Sequence, residues 1–557
     1  MAYIKTIGLE NFRLFKDKTS FDLAPITILT GINSSGKSSL IKSFQLFKSS
    51  LEQTGSLDQI SFLKGNHNLG NFSKAVHEDS EKKEMKFTFD FPVWGFTEKT
   101  LLELTYTASN KEAEDGHLSF LRIYLDQGED ILIYNSKGWK KGDETTHKAF
   151  YFNLPFLIPY CLQKLKEEEW EEPNIKYEET DLPRWIKPKN DDLFKSSLSG
   201  FFDFEDNWKY MKWDFEEEIF MDYNSIIPEE KSKIKKEMED AWNNGIDATI
   251  ISLHDFSILD GIEFGISEII TEIGNKKPKF LLGGDEFENK PTYNFSTLGE
   301  IVFNKILIKS ILNGISDFES SLKKIEHLSS IRANSDRLYS NHSDIFGINE
   351  LLREFSKIRL KKGSPIFDFI IESLQKFNLG EEIVIKRTQG IASEVFVKRN
   401  GKEYLLADLG FGYTQLLPII LKIAIIAHQA HFYPGAEERP STVFLLEEPE
   451  SNLHPSYQSK LAELIVESAS LFNIQFIVET HSEYLIRNLQ YLTATKKIKP
   501  RDTKIYYFHQ PGSEDFKESP YRVIEIKEDG RLTNEFGEGF FDEIPRLLAF
   551  LYNTNFN

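Results

Sequence analysis

The chain has 557 residues, 40% of them hydrophobic and 28% charged, enough for roughly two to four packed cores and unlike a disordered protein. Its formal charge is −20, with 67 Lys and Arg against 87 Asp and Glu. This excludes a surface that coats nucleic acid everywhere and leaves only a local basic groove open. Cys161 is the sole cysteine, which excludes an intrachain disulfide and a cysteine-based zinc cluster and fits a reducing cytoplasm.

The first residues, Met1 to Lys5, carry no apolar signal segment. Two strands are predicted over Ile4–Phe12 and Phe21–Thr30, with Arg13 in the turn between them. The second strand ends in the β-branched run Ile26-Thr27-Ile28-Leu29-Thr30, followed by Gly31-Ile32-Asn33-Ser34-Ser35-Gly36-Lys37-Ser38. Two glycines with four residues between them, then Lys and Ser, fit the phosphate-loop pattern. Behind the loop, Ser39-Leu40-Ile41-Lys42-Ser43-Phe44 has apolar residues at helical spacing, predicting a helix to about Ser49. A strand, a glycine loop and a helix start aim several backbone N–H groups at one point, where the helix dipole also favours an anion. The cofactor-binding set read from this stretch is Asn33, Ser34, Ser35, Gly36, Lys37, Ser38 and Ser39. Lys37 reaches the β- and γ-phosphates of ATP, and the Ser38 hydroxyl takes Mg²⁺.

Downstream, a loop at Leu69–Ser73 precedes strands over Lys86–Phe91, Leu101–Thr107, Leu118–Asp126 and Ile131–Tyr134, an antiparallel block beside the nucleotide strand. From about residue 150 the character changes to acidic clusters such as Glu167–Glu172 and to helical patterns over 229–243, 246–273 and 297–326. Lys357, Arg359, Lys361 and Lys362 form a compact basic patch, either a solvated helix end or a contact for DNA or RNA. Near 383 strands return, with a hairpin of Glu394–Arg399, the turn Asn400-Gly401, and Lys402–Leu406. A helix follows over Gln415–His431. Its most apolar part, Leu416–Ala427, is interrupted by Lys422 and too short to span a bilayer, so it reads as a buried helix and not a membrane segment. Strands at Thr442–Leu446, Ile474–Val478, Lys504–His509 and Tyr521–Glu525 then alternate with helices at Pro455–Leu471 and Ser482–Leu492, which predicts an α/β sheet with helices on its faces. The chain thus divides into a head assembled from 1–135 and 383–557 and a mainly helical insertion over 136–382.

Three further motifs carry chemistry. Thr442-Val443-Phe444-Leu445-Leu446-Glu447-Glu448 is a buried strand ending in two acids. Phosphoryl transfer needs one acid for the metal, here Glu447, and one to activate water, here Glu448. Ile477-Val478-Glu479-Thr480-His481 places His481 past a second strand end, where a neutral imidazole can bond the γ-phosphate or the attacking water. In Leu409-Gly410-Phe411-Gly412-Tyr413-Thr414-Gln415, Pro418 is expected to fall in the first helical turn, so the helix should begin near Thr414. Gly410 and Gly412 then form a second anion site, which suggests a dimer sharing nucleotides across its interface.

Phosphate loop, glycine signature, two-acid strand and strand-end His, in this order, resemble an ATP-binding-cassette-type ATPase head of the SMC, RecF and OLD kind. Leu446-Glu447-Glu448-Pro449-Glu450-Ser451-Asn452-Leu453-His454-Pro455 is similar to the OLD-like AAA ATPases. The tail around Ile524-Glu525-Ile526 and Phe540-Phe541-Asp542 resembles a subfamily of bacterial antiphage operons, including Septu-type and retron-associated ATPases. The insertion matches only loosely, around His327–Arg332. The resemblance implies a P-loop head with a mixed sheet, flanking helices and an antiparallel β subdomain, and a head-to-head dimer or higher oligomer sandwiching two ATPs. It implies phosphate contact by Arg13 and a D-loop at Asn452 and His454. Two departures from transporter-type cassettes stand out: Gly410 replaces their signature Ser, and Glu447 replaces their Asp. The lid glutamine loop is expected within 67–78. The implied function is a slow, regulated, cytoplasmic ATPase that acts as sensor of an antiphage complex and controls a separate effector, expected to be an HNH-type nuclease. The stretch after His481 is too short for the Toprim-type nuclease module of several OLD relatives. The competing reading is a repair or chromosome-maintenance ATPase that clamps DNA directly; a metabolic kinase leaves the signature and His481 unexplained.

Overall fold

A computed structural model describes residues 4–80, 84–93, 99–110, 112–136, 140–141, 144–145, 149–152, 250–252, 311, 313–330, 339–340, 348–388, 392–431, 442–537, 540–542, 546–548 and 550–551. Strand β1 (Thr6–Glu10) pairs with β2 (Thr19–Asp22), and β3 (Ile26–Gly31) leads through the glycine loop into α1 (Lys37–Thr54). Next come β4 (Gln59–Ser61), β5 (Glu84–Asp90), β6 (Thr100–Thr107), β7 (Asp115–Leu125) and β8 (Asp130–Asn135). They form an antiparallel sheet in the order β8-β7-β6-β5-β1-β2, with β4 on β7 and short strands at Ala149–Phe152 and Ile250–Ser252 extending the β8 edge. This sheet packs against α1 through aromatic rings. Phe47 of α1 meets Phe87 and Phe89 of β5 edge-on, at centroid distances of 4.9 and 5.3 Å.

The remaining described elements build the nucleotide sheet, the helices around it and a separate antiparallel sheet. They are α2 (Asn313–Lys323), β9 (Glu326–Leu328), α3 (Ile348–Lys357), α4 (Pro365–Lys376), then β10 (Glu382–Thr388), β11 (Ala392–Arg399) and β12 (Lys402–Leu405), which pair in the separate sheet, and α5 (Phe411–His431). After them follow β13 (Thr442–Glu447), α6 (Pro455–Phe472), β14 (Ile474–Glu479), α7 (Glu483–Ala494), β15 (Thr503–Phe508) and β16 (Tyr521–Ile524). Among the described residues the order is β9-β13-β14-β3-β15-β16, parallel except for the β15–β16 pair. Every residue of β3 and β14 is buried, as expected of strands covered on both faces. Side chains alternate between two cores. Leu29, Val443, Leu445 and Ile477 join the α1 core, whereas Ile28, Phe444, Leu446 and Val478 join the core of α5, α6 and α7.

Three details differ from the sequence reading. Helix α5 begins at Phe411, not near Thr414, and Pro418 lies inside it. An internal proline costs about 3 kcal/mol, which burial offsets: Leu416, Leu417, Ile419, Ile420 and Ile423 are at most 1% exposed. Gly412–Ala430 is long and apolar enough to cross a membrane, but 72% of that window is buried inside the protein, which makes it a core helix. Of the helical pattern over 297–326, the described part from 313 forms α2 and then enters β9, a three-residue strand that joins the nucleotide sheet; within 246–273 only the strand Ile250–Ser252 is described, and 229–243 lies outside the described residues. Residues 313–328 and 348–376, read from the sequence as insertion, pack into the two cores of the head.

Candidate nucleotide site

The loop forms because β3 and β15 approach closely at its start. Gly31 is in register with Phe508 and has φ +127°; a Cβ there would lie 2.4 Å from the Phe508 carbonyl oxygen, so only glycine fits. Gly36, at φ +106°, precedes α1 with no side-chain cap; its carbonyl accepts the Ser39 N–H at 2.9 Å, and the helix start ahead of that bond faces an anion. Lys37 is 3% exposed and its Nζ donates to the carbonyls of Gly31 (3.1 Å) and Ile32 (2.7 Å). Burial pulls the ammonium below its ordinary value, and the charges of Glu479 and Glu448 pull it back.

Three strand ends converge on this loop. Glu447 and Glu479 are the last residues of β13 and β14 and stand in register. The Ser38 hydroxyl donates to Glu479 Oε2 at 3.0 Å and Oε1 at 3.3 Å, and Lys37 Nζ lies 4.0 Å from Glu479 Oε1. Burial pushes the Glu479 carboxyl up to about 7, although Lys37 and Ser38 act in the opposite sense. Glu447 meets a different partner: its Oε1 is 2.9 Å from Nε2 of His327 on β9. Glu448 has φ +40°, donates its N–H to the Glu479 carbonyl at 2.7 Å and accepts from Ser451 Oγ at 3.0 Å. Glu450 is buried and accepts the His481 N–H at 2.6 Å, fixing the backbone beneath the imidazole. His481 is exposed as a residue, yet partial burial of its ring, and then the Lys37 charge, lower its pKa and favour the neutral form.

The remaining predicted residues surround this centre. Arg13 Nε donates to Ser39 Oγ at 3.2 Å on the first turn of α1, and its N–H bonds the Ala75 carbonyl at 2.8 Å. Residues 72–75, within the expected lid region, therefore dock on the Arg13 turn. Asn452 is exposed with φ 60°, and His454 caps α6 by accepting from the Ser456 N–H. Arg13, Ser34, Glu448 and Asn452 adopt positive φ. Gly410 and Gly412 lie at the start of α5; Lys357 ends α3, and Arg359, Lys361 and Lys362 follow in the turn before α4, all four exposed.

Sequence reasoning missed Glu479 and His327. The available signal was an acid at the last place of an apolar strand in both Thr442–Glu447 and Ile474–Glu479. It also missed the ionic knot made by β9. Glu326 lies 2.8 Å from Lys422 of α5 and 3.6 Å from Lys48 of α1, and Lys422 is also 3.5 Å from Glu354 of α3. Burial alone would lower the Lys422 ammonium, but Glu326 and Glu354 outweigh it and hold it above its ordinary value. Glu326→Ala leaves a buried cation short of a partner and is expected to cost about 3 kcal/mol. The check is a lower urea midpoint at unchanged slope; an unshifted midpoint would remove β9 from the forces that hold the head together.

The profile of the AAA ATPase domain family matches residues 2–486, and that of a family described as a protein of unknown function (DUF3696) matches residues 498–551. No curated protein matches the chain. Among solved structures, the Smc head domain with an extended coiled coil bound to the C-terminal domain of ScpA, from Pyrococcus furiosus, aligns over 99% of this chain and 100% of that one, at 13% identity and a TM-score of 0.32. The Smc head domain with a coiled coil and joint from Pyrococcus yayanosii covers 95% and 98%, at 14% identity and 0.36. The SMC head domain from Thermotoga maritima covers 94% and 100%, at 10% identity and 0.32.

Proposed function

This chain belongs to the AAA ATPase domain family, and we propose that it is a Mg²⁺-dependent ATPase switch whose sites close between two copies and whose turnover licenses a separate effector. The observation that carries the shared site is the state of the signature glycines. A Cβ on Gly410 would meet nothing within 4 Å, one on Gly412 would meet only Leu453 at 3.9 Å, and neither residue is at positive φ. Among the described residues nothing demands glycine there; a phosphate approaching from a second copy would.

The roles follow from placement. Lys37 and the N–H groups of the loop and α1 bind the phosphates, with Arg13 behind them. Ser38 and the strand-end carboxylates offer hard oxygen donors that suit Mg²⁺. When bound, Mg²⁺ would be held by Ser38 and these carboxylates and would neutralise charge on the phosphates. Glu448 accepts the proton of the attacking water, neutral His481 orients it, and Asn452 stands toward the partner copy.

The test mixes Gly412→Asp with Lys37→Ala protein, each inactive alone. In a shared-site dimer the mixed pair has one site with an intact loop and an intact signature, and its other site carries both lesions, so activity returns. A mixture that stays dead while Gly412→Asp still binds ATP would sink the shared site. The effector reading rests on the resemblance to Septu-type and retron-associated ATPases. An HNH-type nuclease encoded beside the chain and copurifying with it supports that reading. The exposed basic turn of Lys357, Arg359, Lys361 and Lys362 favours the second reading, direct DNA or RNA contact, which predicts steeply salt-dependent binding.

A further inference from the structure

We propose that His327 is a positioning residue for the metal acid: its imidazole clamps one oxygen of Glu447 and so fixes the rotamer in which that carboxylate serves the ion. The proposal rests on the reading of Glu447 as the acid that serves Mg²⁺, and adds the group that aims it. Glutamate has a long side chain with several rotamers, so its carboxyl can stand in several places at the end of a strand. A carboxylate that binds a metal is commonly held in one of them by a hydrogen-bonding partner behind it.

The geometry supplies such a partner. Nε2 of His327 lies 2.9 Å from Oε1 of Glu447, and the two side chains are only 13% and 24% exposed. A metal-binding carboxylate is ionised and only accepts hydrogen bonds, so Nε2 is the donor. The ring is carried there by β9, which runs parallel to β13 with His327 in register with Leu445 and Leu328 with Leu446. Among the described residues β9 is the outer strand of the nucleotide sheet, and its three residues make too short a ladder to hold a side chain firmly. The residue before His327 supplies the anchor. Glu326 is tied to Lys422 of α5 at 2.8 Å and to Lys48 of α1 at 3.6 Å. The imidazole thus stands on a strand pinned to two helices and grips the acid from there.

The test uses the full chain with a non-hydrolysable ATP analogue and Mn²⁺ in place of Mg²⁺, read by the paramagnetic resonance of bound Mn²⁺. His327→Leu keeps an apolar body of similar size on β9 and removes the donor. It is expected to raise the Mn²⁺ concentration for half-saturation by about tenfold or more, with analogue binding in the absence of metal unchanged. His327→Gln brings an amide N–H close to the place of Nε2 and is expected to recover most of that loss. In a Glu447→Gln background, itself weakened, His327→Leu is expected to add little, because the group it aims is already gone. The proposal is overturned, and the metal reading stands, if His327→Leu binds Mn²⁺ as the parent does. The same holds if His327→Gln loses as much as His327→Leu, or if the losses at 327 and 447 simply add. If Glu447→Gln binds Mn²⁺ as the parent does, the metal reading of Glu447 falls, and the proposal with it.

Discussion

Lys37→Ala is expected to abolish ATP binding while leaving the fold intact. The side chain is 3% exposed and curls into the loop, its Nζ resting on the Gly31 and Ile32 carbonyls. These two bonds hold the ammonium against the loop whose N–H groups form the anion site. Charge-assisted bonds contribute about 1.5–3 kcal/mol each, and losing two of them corresponds to roughly a hundredfold or more in affinity. The fold survives because α1 is anchored elsewhere: Leu40, Ile41, Phe44 and Phe47 are fully buried against the sheets. Titration calorimetry with ATP and Mg²⁺, next to an unchanged far-ultraviolet dichroism spectrum, checks both halves. A variant that binds ATP as the parent does would take the nucleotide away from this loop.

What the sequence revealed and what it hid divide along one physical line. The phosphate loop was legible because its demands are local: Gly31 must pass the Phe508 carbonyl, and Gly36 must turn into a helix at positive φ. The strands of the nucleotide sheet were legible for the same reason, as apolar runs bounded by turns. The start of α5 was not, since the local cost of Pro418 is overridden by tertiary burial that no window of sequence contains. His327 was hidden more deeply. It meets Glu447 across 120 positions, through a strand of three residues whose only strand-like property is its partner. Glu479 fell between these cases. The motif Glu479-Thr480-His481 was read for its histidine, although the acid stands in register with Glu447 and nearer the loop.

Glu448→Gln is expected to bind ATP normally and to turn it over about 10²–10⁴ times more slowly, the usual loss for a positioned general base, or roughly 3–5 kcal/mol of barrier. Three constraints fix this carboxylate. Its backbone sits at φ +40°, a conformation that a β-strand does not continue through, so the chain turns at this residue and presents the side chain past the strand end. Its N–H is tied to the Glu479 carbonyl at 2.7 Å, which locks the turn to the neighbouring strand. Its Oε2 accepts the Ser451 hydroxyl at 3.0 Å. Glutamine preserves the shape and can still accept from Ser451 through its carbonyl oxygen, so neither the turn nor ATP binding should suffer. What it cannot do is take a proton from water. The neutral His481 nearby does not replace it, because its N–H and not its side chain is held by Glu450, leaving the ring to orient rather than to share a fixed proton path. Single-turnover hydrolysis after rapid mixing with ATP and Mg²⁺ separates the chemical step from binding. Normal turnover with Glu448→Gln and slow turnover with Glu447→Gln would exchange the two roles and place the base one residue earlier, on the side chain that His327 holds.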